Sequence, residues 1–106
     1  MKTKMHTVQV VGSRVWSAED DNVDVEVLFP DGRRFGATFF TLKNLEKLFE
    51  KNKKTGECAD GLYLWAANMV LVRDLSMGAI ERAVDDLIEN NELEQAFAEL
   101  RGGTLI

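Results

Sequence analysis

The chain has little of what most enzymes and metalloproteins use: one cysteine, one histidine, one proline and one tyrosine among 106 residues. A lone thiol, Cys58, excludes an internal disulfide and any cysteine cluster for zinc. The lone imidazole, His6, has no second histidine with which to share a metal. Glycine-rich phosphate loops are missing as well, because "GSR" near the start and "RGG" near the end are too short to cradle a phosphate. Apolar runs stop after a few residues, which excludes a membrane-spanning helix. "MKTKMHTVQVVG" begins basic but lacks the apolar core of about 7–15 residues that defines a signal peptide, so a cytoplasmic protein is expected.

What is present is ordinary for a folded domain: 45% hydrophobic and 29% charged residues, with no low-complexity tract. One domain over residues 1–106 is expected, without a linker or internal repeat. The net charge of −5 is unevenly spread. Five lysines between Lys43 and Lys54 face only Glu46 and Glu50, a local +3, whereas Asp74 to Ile106 holds eight acids against Arg82 and Arg101, a local −6. A field of this sign disfavours nucleic acid as ligand and suits a basic protein partner.

Periodicity supplies the elements. Thr7 to Trp16 reads as a first strand with a bend at Gly12, Val23 to Phe29 as a second and Arg33 to Phe40 as a third. A three-residue loop of Pro30, Asp31 and Gly32 pairs Val27 with Phe35, Val25 with Ala37 and Val23 with Phe39, which gives one coherent apolar face; a two-residue loop would split it. Thr41 caps a helix running to about Lys54, with Leu42, Leu45, Leu48 and Phe49 as its stripe and Gly56 as its stop. "LYLWAANMVLV" reads as two short strands around Ala67 and Asn68. Ser76 caps a second long helix with Ile80, Val84 and Leu87 on its stripe, and "NELEQAFAEL" adds a shorter one capped by Asn91 with Glu94 completing a capping box. The order βββ-α-ββ-αα defines an α+β fold, a mainly antiparallel sheet with helices packed on one face.

Catalysis finds no support in these residues. His6 lies in a polar start and Cys58 just past a helix stop, with no dyad to activate either. Asp24 and Glu26 share one side of a strand at a spacing of roughly 6.5–7 Å, within the range of glycosidase carboxylates, but on a solvated face without a pocket to raise one pKa. Phe35, Phe39, Phe40, Tyr63 and Trp65 read as packing residues rather than a base-stacking platform, since they lie among acids. Both sides of the Leu62 to Trp65 stretch are apolar, which leaves one of them as a patch for a partner. No cofactor and no metal site is expected.

The acids remain. Glu19, Asp20, Asp21, Asp24 and Glu26 place five carboxylates in eight residues, and Asp85, Asp86, Glu89 and Glu92 add a second group near the end. Such clusters keep a protein soluble, and they also steer a basic partner into contact. These nine are the candidate partner-binding residues.

"ATFFTLKN", "TGEC" and "YLWAANMVLV", all within Gly36 to Ser76, resemble a family of small bacterial toxin-immunity proteins, the antidotes of contact-dependent growth inhibition and related polymorphic toxin systems. The likeness spans about two-fifths of the chain. It implies a non-enzymatic, cytoplasmic protein that binds the C-terminal domain of a cognate toxin and blocks its active site or the access to it. For a nuclease toxin, the acids would stand in for nucleic-acid phosphate. The competing reading is an acidic nucleic-acid mimic or regulator acting on a host DNA-binding protein. No membrane partner is expected, and oligomeric state leaves no mark in the sequence.

Overall fold

The computed structural model describes residues 5–12 and 14–100. The chain is α+β, with five strands in one mainly antiparallel sheet: β1 (Thr7–Val10), β2 (Asn22–Leu28), β3 (Arg34–Thr41), β4 (Met69–Val72) and β5 (Ala98–Leu100). The helical elements are α1 (Leu42–Thr55), a single turn α2 (Glu57–Gly61), α3 (Met77–Glu89) and a short α4 (Leu93–Ala96). β3 is the hub. One edge pairs with β2 along its whole length, and the other is shared by β5 at Arg34 to Gly36 and β4 at Thr38 to Thr41.

The β2–β3 hairpin adopts the expected register, with Val27 opposite Phe35, Val25 opposite Ala37 and Val23 opposite Phe39. Its turn closes by Gly32 N donating to Phe29 O (3.0 Å) and Phe29 N donating to Arg33 O (3.0 Å), and Gly32 takes the left-handed φ of 94° that this bulged turn needs. Six inward residues of the hairpin then meet Leu75, Ile80, Val84, Leu93 and Phe97, so the core lies between the sheet and the α3–α4 layer. Phe39 and Phe97 meet edge to face at 5.8 Å across it.

Three boundaries differ from the sequence reading. β1 stops at Val10, because Gly12 turns at φ 102° and the chain leaves to form the Arg14 to Asp21 loop. Leu62 to Ala66 is irregular rather than a strand, since the edge of β3 it would need is taken by Met69–Val72 from Thr38 onward and by Ala98–Leu100 at Arg34 to Gly36. The last helix is a single turn: Asn91 adopts φ 58°, Glu92 takes the cap position without a side-chain bond, and Ala98–Leu100 pairs with the open half of the β3 edge. Pairing three residues with an otherwise unpaired edge outweighs the weak helical propensity of a short segment. Asn68 joins the two partners of that edge, its carbonyl accepting from Thr38 N (3.0 Å) and its Nδ2 donating to Ala96 O (3.2 Å).

α1 stands apart. It contributes no side chain to the core cluster, and its only buried residue is Asn52. Together with α2 and the returning segment to Ala66 it forms a limb, the crossover between the parallel neighbours β3 and β4.

Candidate protein-binding surfaces

Strand alternation sorts the first acid group. Val23, Val25 and Val27 point into the core, so Asp24 and Glu26 lie on the opposite, outer face of the sheet. Glu26 accepts from Arg34 Nη2 (3.1 Å) and is largely covered, while Asp24 is exposed and accepts from Thr38 Oγ1 (2.8 Å). Asp20 is paired with Lys47 of α1. Asp21 is a structural anchor: Arg14 grips both of its oxygens at 2.8 and 2.9 Å, and the backbone N–H groups of Ser17 (3.1 Å) and Asn22 (2.8 Å) donate to it. The guanidinium, with these amides, holds its carboxyl well below the usual range despite the cost of partial burial. Of this group Glu19 and Asp24 are left exposed to a partner.

The second group lies on the solvent side of α3 and in the following turn, on the core-side layer of the molecule. Asp85 receives His6 Nε2 at 2.7 Å, tying the segment before β1 to α3. Asp86 accepts from Asn90 Nδ2 (3.2 Å) and, with Arg82, Asp85 and Glu89, borders a shallow depression; Glu92 is exposed. The structure therefore does not bring the nine predicted residues together. The outer-face acids and the α3 acids flank the molecule on opposite sides of the sheet, and several carry internal cations.

The limb presents a different surface. Leu42, Phe49, Leu62, Tyr63, Trp65 and Leu71 are all exposed, Leu62 by 78% and Trp65 by 70%. Leu71, on β4, stands opposite Phe40, two residues before Leu42, at the end of the sheet from which α1 starts. The six expose on the order of 600 Å² if each side chain carries roughly 150–250 Å², close to the ~800 Å² that one partner buries in a standard interface. On α1 the lysines Lys43, Lys47, Lys51 and Lys54 occupy the side away from Leu42 and Phe49, about 100° per residue being the helical step, while Lys53 falls on the same side as those two. The sequence reading placed Leu42 and Phe49 on a core-facing stripe and flagged only the Tyr63 and Trp65 region; the doubled apolar parity of Leu62 to Trp65 was the available signal.

Local chemistry holds the limb in place. Thr41, buried at its root, caps α1 by accepting from Asn44 N (3.2 Å) and also accepts from Asp21 N (3.3 Å), while Asn22 Nδ2 donates to Asn44 Oδ1 (2.9 Å). At the far end α2 is a left-handed turn, with Cys58, Ala59 and Asp60 at φ 52°, 53° and 58°. Each such residue costs roughly 1–2 kcal/mol. Gly61 then packs so closely on α1 that an added Cβ would lie 2.8 Å from Phe49 O and 2.9 Å from Lys53 N.

Among the described residues no group of three His, Cys, Asp or Glu side chains is placed to hold a metal ion. No described helix is long and apolar enough to cross a membrane. Cys58 and His6 are in separate regions, one on the limb and the other beside α3. No family model matches the chain, and neither a curated protein nor a solved structure does.

Proposed function

We propose that this chain is a non-enzymatic inhibitor, a cytoplasmic immunity protein that binds and neutralises a cognate secreted toxin domain, with a nuclease as the leading target. The observation that carries the reading is the limb: five large apolar side chains held in the open on a strained but anchored scaffold, joined by Leu71 on the neighbouring β4, with a summed exposed area approaching what one protein partner covers. Aromatic anchors such as Trp65 and Tyr63 are the residue types that dominate binding energy at such surfaces. The likeness of "ATFFTLKN", "TGEC" and "YLWAANMVLV" to immunity proteins falls on this same stretch.

The test is capture and protection together. The tagged protein, incubated with its native lysate, is expected to retain the C-terminal domain of a large secreted protein encoded next door, and co-expression is expected to relieve that domain's toxicity. Trp65→Glu should abolish both while leaving the circular dichroism spectrum unchanged. Full protection by a folded Trp65→Glu variant would remove the limb from the inhibitory surface.

A second reading keeps the acids at the centre, as a nucleic-acid mimic acting on a host DNA-binding protein. It is favoured by the exposed Asp86 and Glu92 on the α3 side, away from the limb. Charge reversal at those two residues would weaken that complex and make its loss steepest at low salt.

A further inference from the structure

We infer that in the absence of a partner the limb and the adjoining β4 edge are closed by a second copy of this chain, in a two-fold dimer that joins β4 to β4. The inference rests on the limb being an interface, as the functional reading does, and on nothing about a toxin.

β4 is the end of the sheet path, and its outer edge is paired with no described strand. Its sequence, Met69-Val70-Leu71-Val72, contains none of the charges or prolines that usually blunt an exposed edge. The opposite edge, β1, is different: Thr7 and Gln9 alternate with its valines, and Gly12 bends the chain away at φ 102°. β4 is therefore the edge poised for pairing.

Identical strands paired antiparallel lie across a two-fold axis, the commonest symmetry of soluble oligomers. Only a register that places residues of like parity opposite each other keeps Val70 and Val72 on the core face of both copies. Leu71 opposite Leu71 satisfies that condition and brings together two exposed leucines on the outer face. Leu62 and Trp65 precede the strand and supply flanking apolar area; with Leu71 they expose on the order of 400 Å² at roughly 150–250 Å² per side chain, about half of the ~800 Å² that each side of a standard interface buries, to which the main-chain pairing of β4 adds. Lys43, Lys47, Lys51 and Lys54 lie on the side of α1 away from Leu42 and Phe49, and Lys53 is the one α1 lysine on the apolar side.

Sedimentation velocity on the purified full chain tests this between about 1 and 200 µM, a range that spans micromolar association. A monomer–dimer equilibrium is expected, nearly indifferent to salt because the contact is apolar and main-chain. Leu71→Glu and Trp65→Glu should each raise the dimer dissociation constant by about 30-fold or more, while Asp86→Lys leaves it unchanged. Hydrogen exchange supplies a reading that needs no variant: amides of Met69 to Val72 should slow as concentration rises, and those of Thr7 to Val10 should not. A monomer throughout the range overturns the inference. So do a dimer unaffected by both variants and species that grow beyond two with concentration, which would signal head-to-tail contact between the basic limb and the acidic α3 side. A salt-insensitive dimer without any toxin capture would sustain this inference and remove the functional one.

Discussion

α1 and α3 are built by the same local rules and end in opposite surroundings. Each starts at a hydroxyl cap, Thr41 or Ser76, whose oxygen accepts from the N–H three residues on, and each carries an apolar stripe. α3 buries Ile80 and Val84 completely, whereas α1 buries Asn52 and leaves Leu42 and Phe49 at the surface. The difference lies in connection rather than composition. α3 follows β4 after a short turn anchored by Leu75, whose N–H reaches Ala18 O (2.7 Å) and whose carbonyl receives Trp16 Nε1 (2.8 Å), and this sets it over the core face. α1 springs directly from the end of β3 as a crossover, bonded through Asn44 to Asn22, and never reaches that core. An apolar stripe shows that a helix needs cover; topology decides what provides it.

The largest effect that could break this contrast is expected in the core. Ile80→Ala should cost about 3 kcal/mol in urea unfolding, the typical loss for a large aliphatic side chain cut from a packed interior. Leu42→Ala, measured at a concentration too low for self-association, should cost less than about 0.5 kcal/mol. Equal losses would mean that the limb is packed as tightly as the core.

Gly61→Ala comes next, at about 2 kcal/mol, because it combines a left-handed φ of 80° with a Cβ placed against the α1 backbone. Hydrogen exchange should show α1 amides losing protection while those of β2 and β3 keep theirs. Loss of protection spread evenly over both regions would show that limb and core unfold as one unit.

Much of this was legible in the sequence. The "PDG" turn and the parity of the valines defined the hairpin register, and the hydroxyl caps with Gly56 located both long helices, since these features depend on local backbone chemistry. Three things were not local. β5 exists because β4 leaves half of the β3 edge vacant, a consequence of strand order that no window of residues contains. The left-handed run at Cys58 to Asp60 contradicts the preference of its residues and is imposed by closure of the limb on α1. The acids read as one surface in sequence but are divided by the sheet, and Asp21, Asp20 and Glu26 are engaged by Arg14, Lys47 and Arg34. Charge counts report how many carboxylates there are, and only folding reports which are already neutralised.

The caps sharpen the comparison at a smaller scale. Thr41→Ala should cost about 1.5 kcal/mol, since it removes both the α1 cap and the contact to Asp21, against about 1 kcal/mol for Ser76→Ala, which removes a cap alone. Chemical denaturation of the two variants side by side would read the difference, and a larger loss at Ser76 would reverse the assignment of Thr41 as the root of the limb.

The smallest effect is the most selective, because it acts on the limb through pH. The folded Asp21 carboxyl is held below its unfolded value of about 3.9, so its contribution is fully present above that pH and is lost as pH falls toward the folded value. Arg14, its partner, is shifted upward and keeps its charge throughout the acid range, so the acid side alone carries the dependence. Discounted for the exposure of Arg14, the contribution is about 1 kcal/mol. Asp31, Glu57 and Asp74 are also lowered, so the intact protein weakens in acid whether or not Asp21 is present; the informative quantity is the difference from Asp21→Asn. That variant should be less stable near neutrality, and its deficit should begin to shrink only below about pH 4, narrowing further as pH falls toward the folded value of Asp21. Because Asp21 N donates to Thr41 Oγ1 and Asp21 O accepts from Thr41 N (3.2 Å), the loss should register in α1 exchange before α3. Parallel pH profiles for parent and variant would mean that the Arg14 grip adds nothing to the folded state, and the limb would then owe its anchorage to the Thr41 and Asn44 bonds alone.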